Sequence, residues 1–201
     1  TAQPGQSVAR LSAPWLSWSN SQAALLVDQL QRAPLAASGG TASLTLQASQ
    51  RLDVNGPVVT QGMGQLTLRS DGDLMLQAFA ASGAGGRIST AADLSLNARQ
   101  IYPASDTPFT IDATGRRIDI SMPAGDAPDQ PWSAGGRLSM QAATIAQGGR
   151  LRAPEGSLSL TATSSLQLLA GSETSVAAAG RSYLFGTWTG DRWQAPGSTN
   201  G

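Results

Sequence analysis

Residues 137–160 read RLSMQAATIAQGGRLRAPEGSLSL. Leu138 and Met140 alternate with Arg137, Ser139 and Gln141. Side chains alternate sides along an extended strand, so this pair falls on one face and the polar residues on the other. Ile145 and Leu151 mark two further short apolar segments, separated by Gly148-Gly149 and then by Pro154-Glu155-Gly156, both sequences that turn a chain. Immediately afterwards the opening motif returns as SLSL, with Leu158 and Leu160 in the places of Leu138 and Met140. Three short strands and a return to the start describe one coil with three faces.

The same six-residue unit recurs outward from here: SLTLQA (43–48), QLTLRS (65–70), DLMLQA (73–78), DLSLNA (93–98), RIDISM (117–122), RLSMQA (137–142), SLSLTA (157–162) and SLQLLA (165–170). Leu74 to Leu94, Ile118 to Leu138 and Leu138 to Leu158 are each 20 residues apart. A fixed step of this size is the signature of a stacked repeat, and strict alternation within the unit indicates strands. The expectation is an all-β chain, a right-handed parallel β-helix (a β-solenoid of about 20 residues per coil), with the two apolar residues of each unit inward. The alanine that ends many units suits a corner, and Gly64, Gly72, Gly136 and Gly156 before the strands suit turns. The units at 66 and 74 are eight residues apart, and spacing leaves open which of them continues at 94.

Three segments follow from the period. Residues 1–40 lack it and hold one helix candidate, NSQAALLVDQLQR (20–32), with Asn20 as cap, Ala23, Leu26, Val27 and Leu30 on one face, and Pro34 and Gly39-Gly40 as stops. Residues 41–187 form the solenoid, interrupted at 99–108 (RQIYPASDTP) and 123–134 (PAGDAPDQPWSA), where protruding loops are expected. Residues 188–201 form an end segment.

Composition restricts function. All 13 basic residues are arginine, 13 acidic residues balance them, and His, Lys and Cys are absent. A neutral chain without a basic stripe does not suit nucleic acid, nor does it suit an anionic membrane surface. No apolar run approaches the length of a transmembrane helix, so direct membrane insertion is not expected. No signal peptide is evident, and the chain reads as a piece of something larger. Without His or Cys there is no Ser-His-Asp, Cys-His or phosphate-loop arrangement, and neither an enzyme nor a cofactor or metal site is expected.

Particular stretches resemble a known family. QIYP (100–103), SAGGRLSMQAATIAQGGRLRAP (133–154) and GSETSV (171–176) are similar to the filamentous-haemagglutinin-family exoproteins of Gram-negative bacteria, over about residues 40–195. The resemblance implies a right-handed parallel β-helix and two-partner secretion through an outer-membrane β-barrel transporter. It also implies a place at the cell surface, in adhesion, aggregation or biofilm, with a host or bacterial surface protein or glycan as partner. The family's amino-terminal secretion domain is not recognisable here, and no catalytic motif carries over.

Several residues are candidates for ligand contact. Trp188 and Trp193, with Asp191 and Arg192 between them in TWTGDRW, offer two indoles to a sugar or a partner; closing the end of the stack is the favoured role. Trp15 and Trp18 suit the same role at the other end or packing on the helix. Trp132 lies in a Pro-rich loop with Asp126 and Asp129, where contact with carbohydrate or protein competes with ordinary loop polarity; the alternative to a passive shaft is a glycan-binding module centred on the 99–108 and 123–134 loops or on Trp188 and Trp193. Asp71-Gly72-Asp73 lacks the tandem repeats of a calcium roll and reads as a polar turn. Asp112, Asp119, Arg116 and Arg117 suggest a polysaccharide-processing face less well than they suggest ion pairs between coils.

Overall fold

The computed structural model describes residues 7–20, 36–78, 85–178, 180, 187–189 and 192–194. They are all-β, with no helix among the described residues. Thirteen strands form one open sheet, paired in parallel throughout. They are β1 (Val8–Ser19), β2 (Gly39–Asn55), β3 (Pro57–Val59), β4 (Met63–Ser70), β5 (Asp73–Gln77), β6 (Gly86–Ser89) and β7 (Asp93–Asn97), then β8 (Gln100–Pro103), β9 (Pro108–Ser121), β10 (Arg137–Gln147), β11 (Arg150–Arg152), β12 (Ser157–Leu168) and β13 (Glu173–Ser175). A separate antiparallel pair, β14 (Thr187–Thr189) and β15 (Arg192–Gln194), places Trp188 opposite Trp193.

The pairings sort into three ladders. In the first, Leu11, Leu46, Leu68, Leu96, Ile120, Gln147 and Leu168 stand in one column. In the second, Leu16, Leu52, Leu74, Ile101, Leu151 and Thr174 do so. In the third, the column is Val58, Ile88, Ile111, Met140 and Leu160. The longer strands β1, β2, β9, β10 and β12 each cross from one ladder to the next. Two further strands, β4 and β5, belong to neighbouring ladders, so the two Leu-x-Leu units eight residues apart lie on different faces. Leu66 continues at Leu94, and Leu74 continues at Ile101.

This register corrects the 20-residue step. Leu138 to Leu158 is a true step within a ladder. Leu74 to Leu94 and Ile118 to Leu138 join different ladders; Ile118 pairs with Leu94 and Ile145 instead. The steps within a ladder vary, from Leu138–Leu158 to Leu16–Leu52, and widen to Ile101–Leu151 where one rung is skipped. Two other expectations change. Val8–Ser19 is not irregular but forms β1, in register with β2 on either side of a shift between Ala13 and Trp15, where Pro14 lies. Gln100–Pro103, expected in a protruding loop, is the wholly buried strand β8. The helix expected over 20–32 lies outside the described residues, apart from Asn20.

Inward aliphatic side chains from all three ladders make one core. Leu46, Leu52, Leu66, Leu74, Ile88, Leu94, Ile101, Ile111, Ile118, Leu138 and Leu151 are all buried in it. Removing such a side chain down to alanine typically costs about 2–5 kcal/mol. Two buried polar groups join the columns and are satisfied there. Thr60 Oγ1 donates to Thr90 Oγ1 at 2.7 Å. Gln147, fully buried at an inward position, donates from Nε2 to the carbonyl of Glu173 and to Thr174 Oγ1, and accepts from the Gly149 N–H. Glycine before the strands serves close approach more than turning. A Cβ at Gly72 would sit 1.8 Å from the Gln50 carbonyl oxygen, and one at Gly156 would sit 1.9 Å from that of Gly136.

One rung is incomplete. After β9 leaves the first ladder at Ser121, the chain re-enters the third ladder at Arg137 without a strand in the second. The second ladder therefore pairs Ile101 of β8 directly with Leu151 of β11. The omitted stretch holds Pro123, Pro128 and Pro131, none of which can donate to a ladder.

Candidate functional site

The omitted stretch, 122–136, folds back against the outer face of the second ladder. Outward positions alternate with the buried column there, and the register stacks them in two rows. One row is Trp15, Arg51, Asp73, Gln100, Arg150 and Glu173; the other is Ser17, Asp53, Met75, Tyr102, Arg152 and Ser175. These residues come from six separate strands of the chain and meet only because the rungs are stacked.

Arg152 and Gln100, both buried, hold the loop down. Arg152 Nη1 donates to Gln100 Oε1 at 3.0 Å and to the Pro128 carbonyl at 3.1 Å. Gln100 Nε2 donates to the carbonyl of Asp129 at 3.1 Å. Two further anchors are Arg99 Nη2 to the Asp126 carbonyl at 2.9 Å and Ser133 Oγ to the Pro103 carbonyl at 2.5 Å. The guanidinium of Arg152 is fixed from its other side by Glu173, which receives Nε at 2.8 Å and also accepts from Arg150 Nε at 2.7 Å. Partial burial of Glu173 acts to raise its pKa, but the hydrogen bonds from Arg152 and Arg150 outweigh this and hold the carboxyl below its ordinary value.

Between loop and ladder lies a cleft of about 530 Å³. Its floor is Arg51, Asp73, Met75, Gln100 and Tyr102; its far wall is 128–133. Asp73 Oδ2 accepts from Gln100 Nε2 and from Tyr102 OH, each at 3.1 Å. Burial first, and then the nearby negative charge of Asp73, push the Tyr102 hydroxyl well above its ordinary pKa, so it stays a neutral donor. Arg51 donates to Asp53 at 2.6 Å and to Met75 Sδ at 3.0 Å, and its guanidinium lies 5.6 Å from the ring centroid of Trp15. Trp15 Nε1 donates to Asp53 at 2.7 Å. Pro131 and Ser133 are buried, whereas Trp132 between them is 79% exposed at the cleft wall.

The structure thus separates the candidates read from sequence. Trp132 lines the cleft. Asp129 lines it too, with its carbonyl used by Gln100. Trp188 and Trp193 are register partners in the β14–β15 pair, and Asp191 lies outside the described residues. Trp18 packs against the core, and Trp15 stands 63% exposed on the outer face. The Asp71-Gly72-Asp73 turn splits its carboxylates: Asp71 pairs with Arg69 at 3.1 Å, and Asp73 turns into the cleft. Asp112 pairs with Arg87 at 2.6 Å, Asp119 with Arg117 at 2.5 Å, and Asp93 lies 3.2 Å from Arg116. Among the described residues no group of three or more acidic side chains is placed to hold a metal ion.

Arg51, Gln100 and Arg152 were not singled out from the sequence, and Tyr102 was read only as part of the 99–108 loop. The motif QIYP carries two of them, but their outward direction follows only from the position of Ile101 in the buried column. Compared with known proteins, the chain matches no family model, no curated protein and no solved structure.

Proposed function

We propose that this chain is a structural and adhesive segment of a large secreted bacterial surface exoprotein. In this reading the three ladders wind as a right-handed parallel β-helix, a rigid shaft that carries binding surface away from a Gram-negative cell. Export would be by two-partner secretion through an outer-membrane β-barrel transporter, as the resemblance to filamentous-haemagglutinin-type exoproteins implies. The observation that carries the shaft is the order of pairing: among the described residues successive segments visit the first, second and third ladders in turn, save for the one rung that skips the second, and align a largely aliphatic column in each. Stacked units of this kind extend without a limit on length, because each buries itself on its neighbours.

A polysaccharide-processing enzyme is the poorer reading. Catalysis of that kind needs a carboxylate and a base free to exchange protons with substrate. Asp53, Asp71, Asp112, Asp119 and Glu173 are each held by an arginine; Asp73, the carboxylate in the cleft, accepts from Gln100 and Tyr102, and the chain has no His or Lys to act as a base beside it. The test is adherence of epithelial cells and of Gram-negative bacteria to surfaces coated with the chain. Adherence above that to an unrelated coated β-protein is the expected result; none from either cell type contradicts the adhesive role.

A further inference from the structure

The cleft between 128–133 and the outer face of the second ladder has a composition that selects its ligand. We infer that it binds a neutral oligosaccharide. This deepens the adhesive reading and rests on it for biological purpose, though the chemistry stands on the cleft alone.

Three features point to sugar. The first is Trp132, 79% exposed at the wall while its neighbours Pro131 and Ser133 are buried. A well-fixed backbone thus presents an indole to solvent. The negative face of an aromatic ring attracts the slightly positive C–H face of a pyranose. The second is the floor: Asp73 and Arg51 place a carboxylate and a guanidinium in one open cleft, over the buried Gln100 and Tyr102 that donate to Asp73. Hydroxyl-rich ligands need donors and acceptors at close spacing, and pockets use a few such groups to fix orientation. Asp73 Oδ2 already takes two hydrogen bonds, which orient the carboxylate.

The third feature is charge. Among the lining residues the one cation is Arg51, against two acidic residues, Asp73 and Asp129. Arg51 is itself paired with Asp53 at 2.6 Å. A sulfated or phosphorylated ligand would meet a net negative surface, so anions are disfavoured. The mixed, open floor likewise offers no enclosed apolar chamber for a lipid chain.

The test is titration calorimetry of the full chain with cellotetraose, maltotetraose and chitotetraose, and with a sulfated heparin tetrasaccharide as the charged control. Variants are Trp132→Ala, Trp132→Phe and the double change Trp188→Ala/Trp193→Ala, each checked by thermal melting. The expected result is saturable binding of at least one neutral tetrasaccharide. Trp132→Ala should weaken it about tenfold or more, as loss of a central aromatic anchor does, Trp132→Phe should restore most of it, and the double variant should bind as the parent does. Absence of binding to all three neutral sugars, preference for the heparin fragment, or unchanged affinity in Trp132→Ala would each overturn the inference. Cell adherence without sugar binding would reject the cleft and leave the adhesive reading standing. Sugar binding without adherence would do the reverse.

Discussion

DLSLNA at 93–98 and SLQLLA at 165–170 carry the same motif, yet the structure treats them differently. Leu94 and Leu96 are almost wholly buried, whereas Leu166 is 46% and Leu168 65% exposed. Both pairs occupy inward columns of the first ladder. Leu94 and Leu96 lie between β4 and β9, while Leu166 and Leu168 have β10 on one side. The N-terminal rung repeats the effect: Leu11 of β1, in the same inward column as Leu46, is 56% exposed. The motif therefore sets the direction of a side chain, and the neighbouring rungs set its burial. Stability in such a stack is concentrated where rungs have neighbours on both sides.

The sharpest way to break that contrast is to put a charge at both places. Leu94→Asp strands a carboxylate in the core and should cost about 4 kcal/mol or more. Leu168→Asp, already half in solvent, should cost under about 1 kcal/mol. Urea denaturation of the two variants checks the difference, and equal losses would contradict it.

Crowding between rungs comes next. Gly156→Ala drives a Cβ against the Gly136 carbonyl, between backbones that cannot swing aside as a side chain can. A loss of about 1–3 kcal/mol is expected, read as a lower urea midpoint with an unchanged slope.

A smaller effect is expected where the second ladder skips a rung. Arg152→Ala removes the donor to Gln100 and to the Pro128 carbonyl, leaving partly buried acceptors without it. The cost should be about 1–2 kcal/mol. Its diagnostic sign is local: faster backbone hydrogen exchange in 122–136, with β4 and β7 unchanged.

The smallest effect is electrostatic. Glu173 has its pKa lowered in the fold, so its contribution is full above the ordinary carboxylate value of 4.5. It is lost as pH falls below that value and through the lowered one. With a side chain about one-third exposed, the contribution is screened to under about 1 kcal/mol. A Glu173→Gln variant should therefore fall slightly below the parent at pH 7, with the gap closing as the pH is lowered below 4.5. Identical melting of the two at pH 7 would remove the ion pairs from the account.

Strand content was legible in the sequence because Leu-x-Leu alternation permits little else. Register was not, since neighbouring ladders use the same six-residue unit. A distance of 20 residues between two faces, as from Leu74 to Leu94, looks like a distance within one face. Proline misled twice. Pro14 lies where β1 shifts register, and Pro103 closes β8, so both strands read as irregular. The same residue type in 123–134 accompanies a stretch without a strand, where three prolines leave little to pair. Of the cleft, Trp132 was legible as an aromatic in a Pro-rich loop. Asp73, Gln100 and Tyr102 were not, since only the pairing of β5 with β8 brings them together.

Register is the claim on which the ladders, the skipped rung and the cleft all depend. The chain has no cysteine, so an introduced pair has no competitor. Adjacent parallel strands lie about 4.8 Å apart, within disulfide range. Thr67 pairs with Ser95 in the first ladder, while Met75 pairs with Asp53 and Tyr102 in the second. Mild oxidation of Thr67→Cys/Ser95→Cys should give a disulfide, and Met75→Cys/Ser95→Cys should stay reduced. A disulfide in the second variant and none in the first would contradict the three-ladder register.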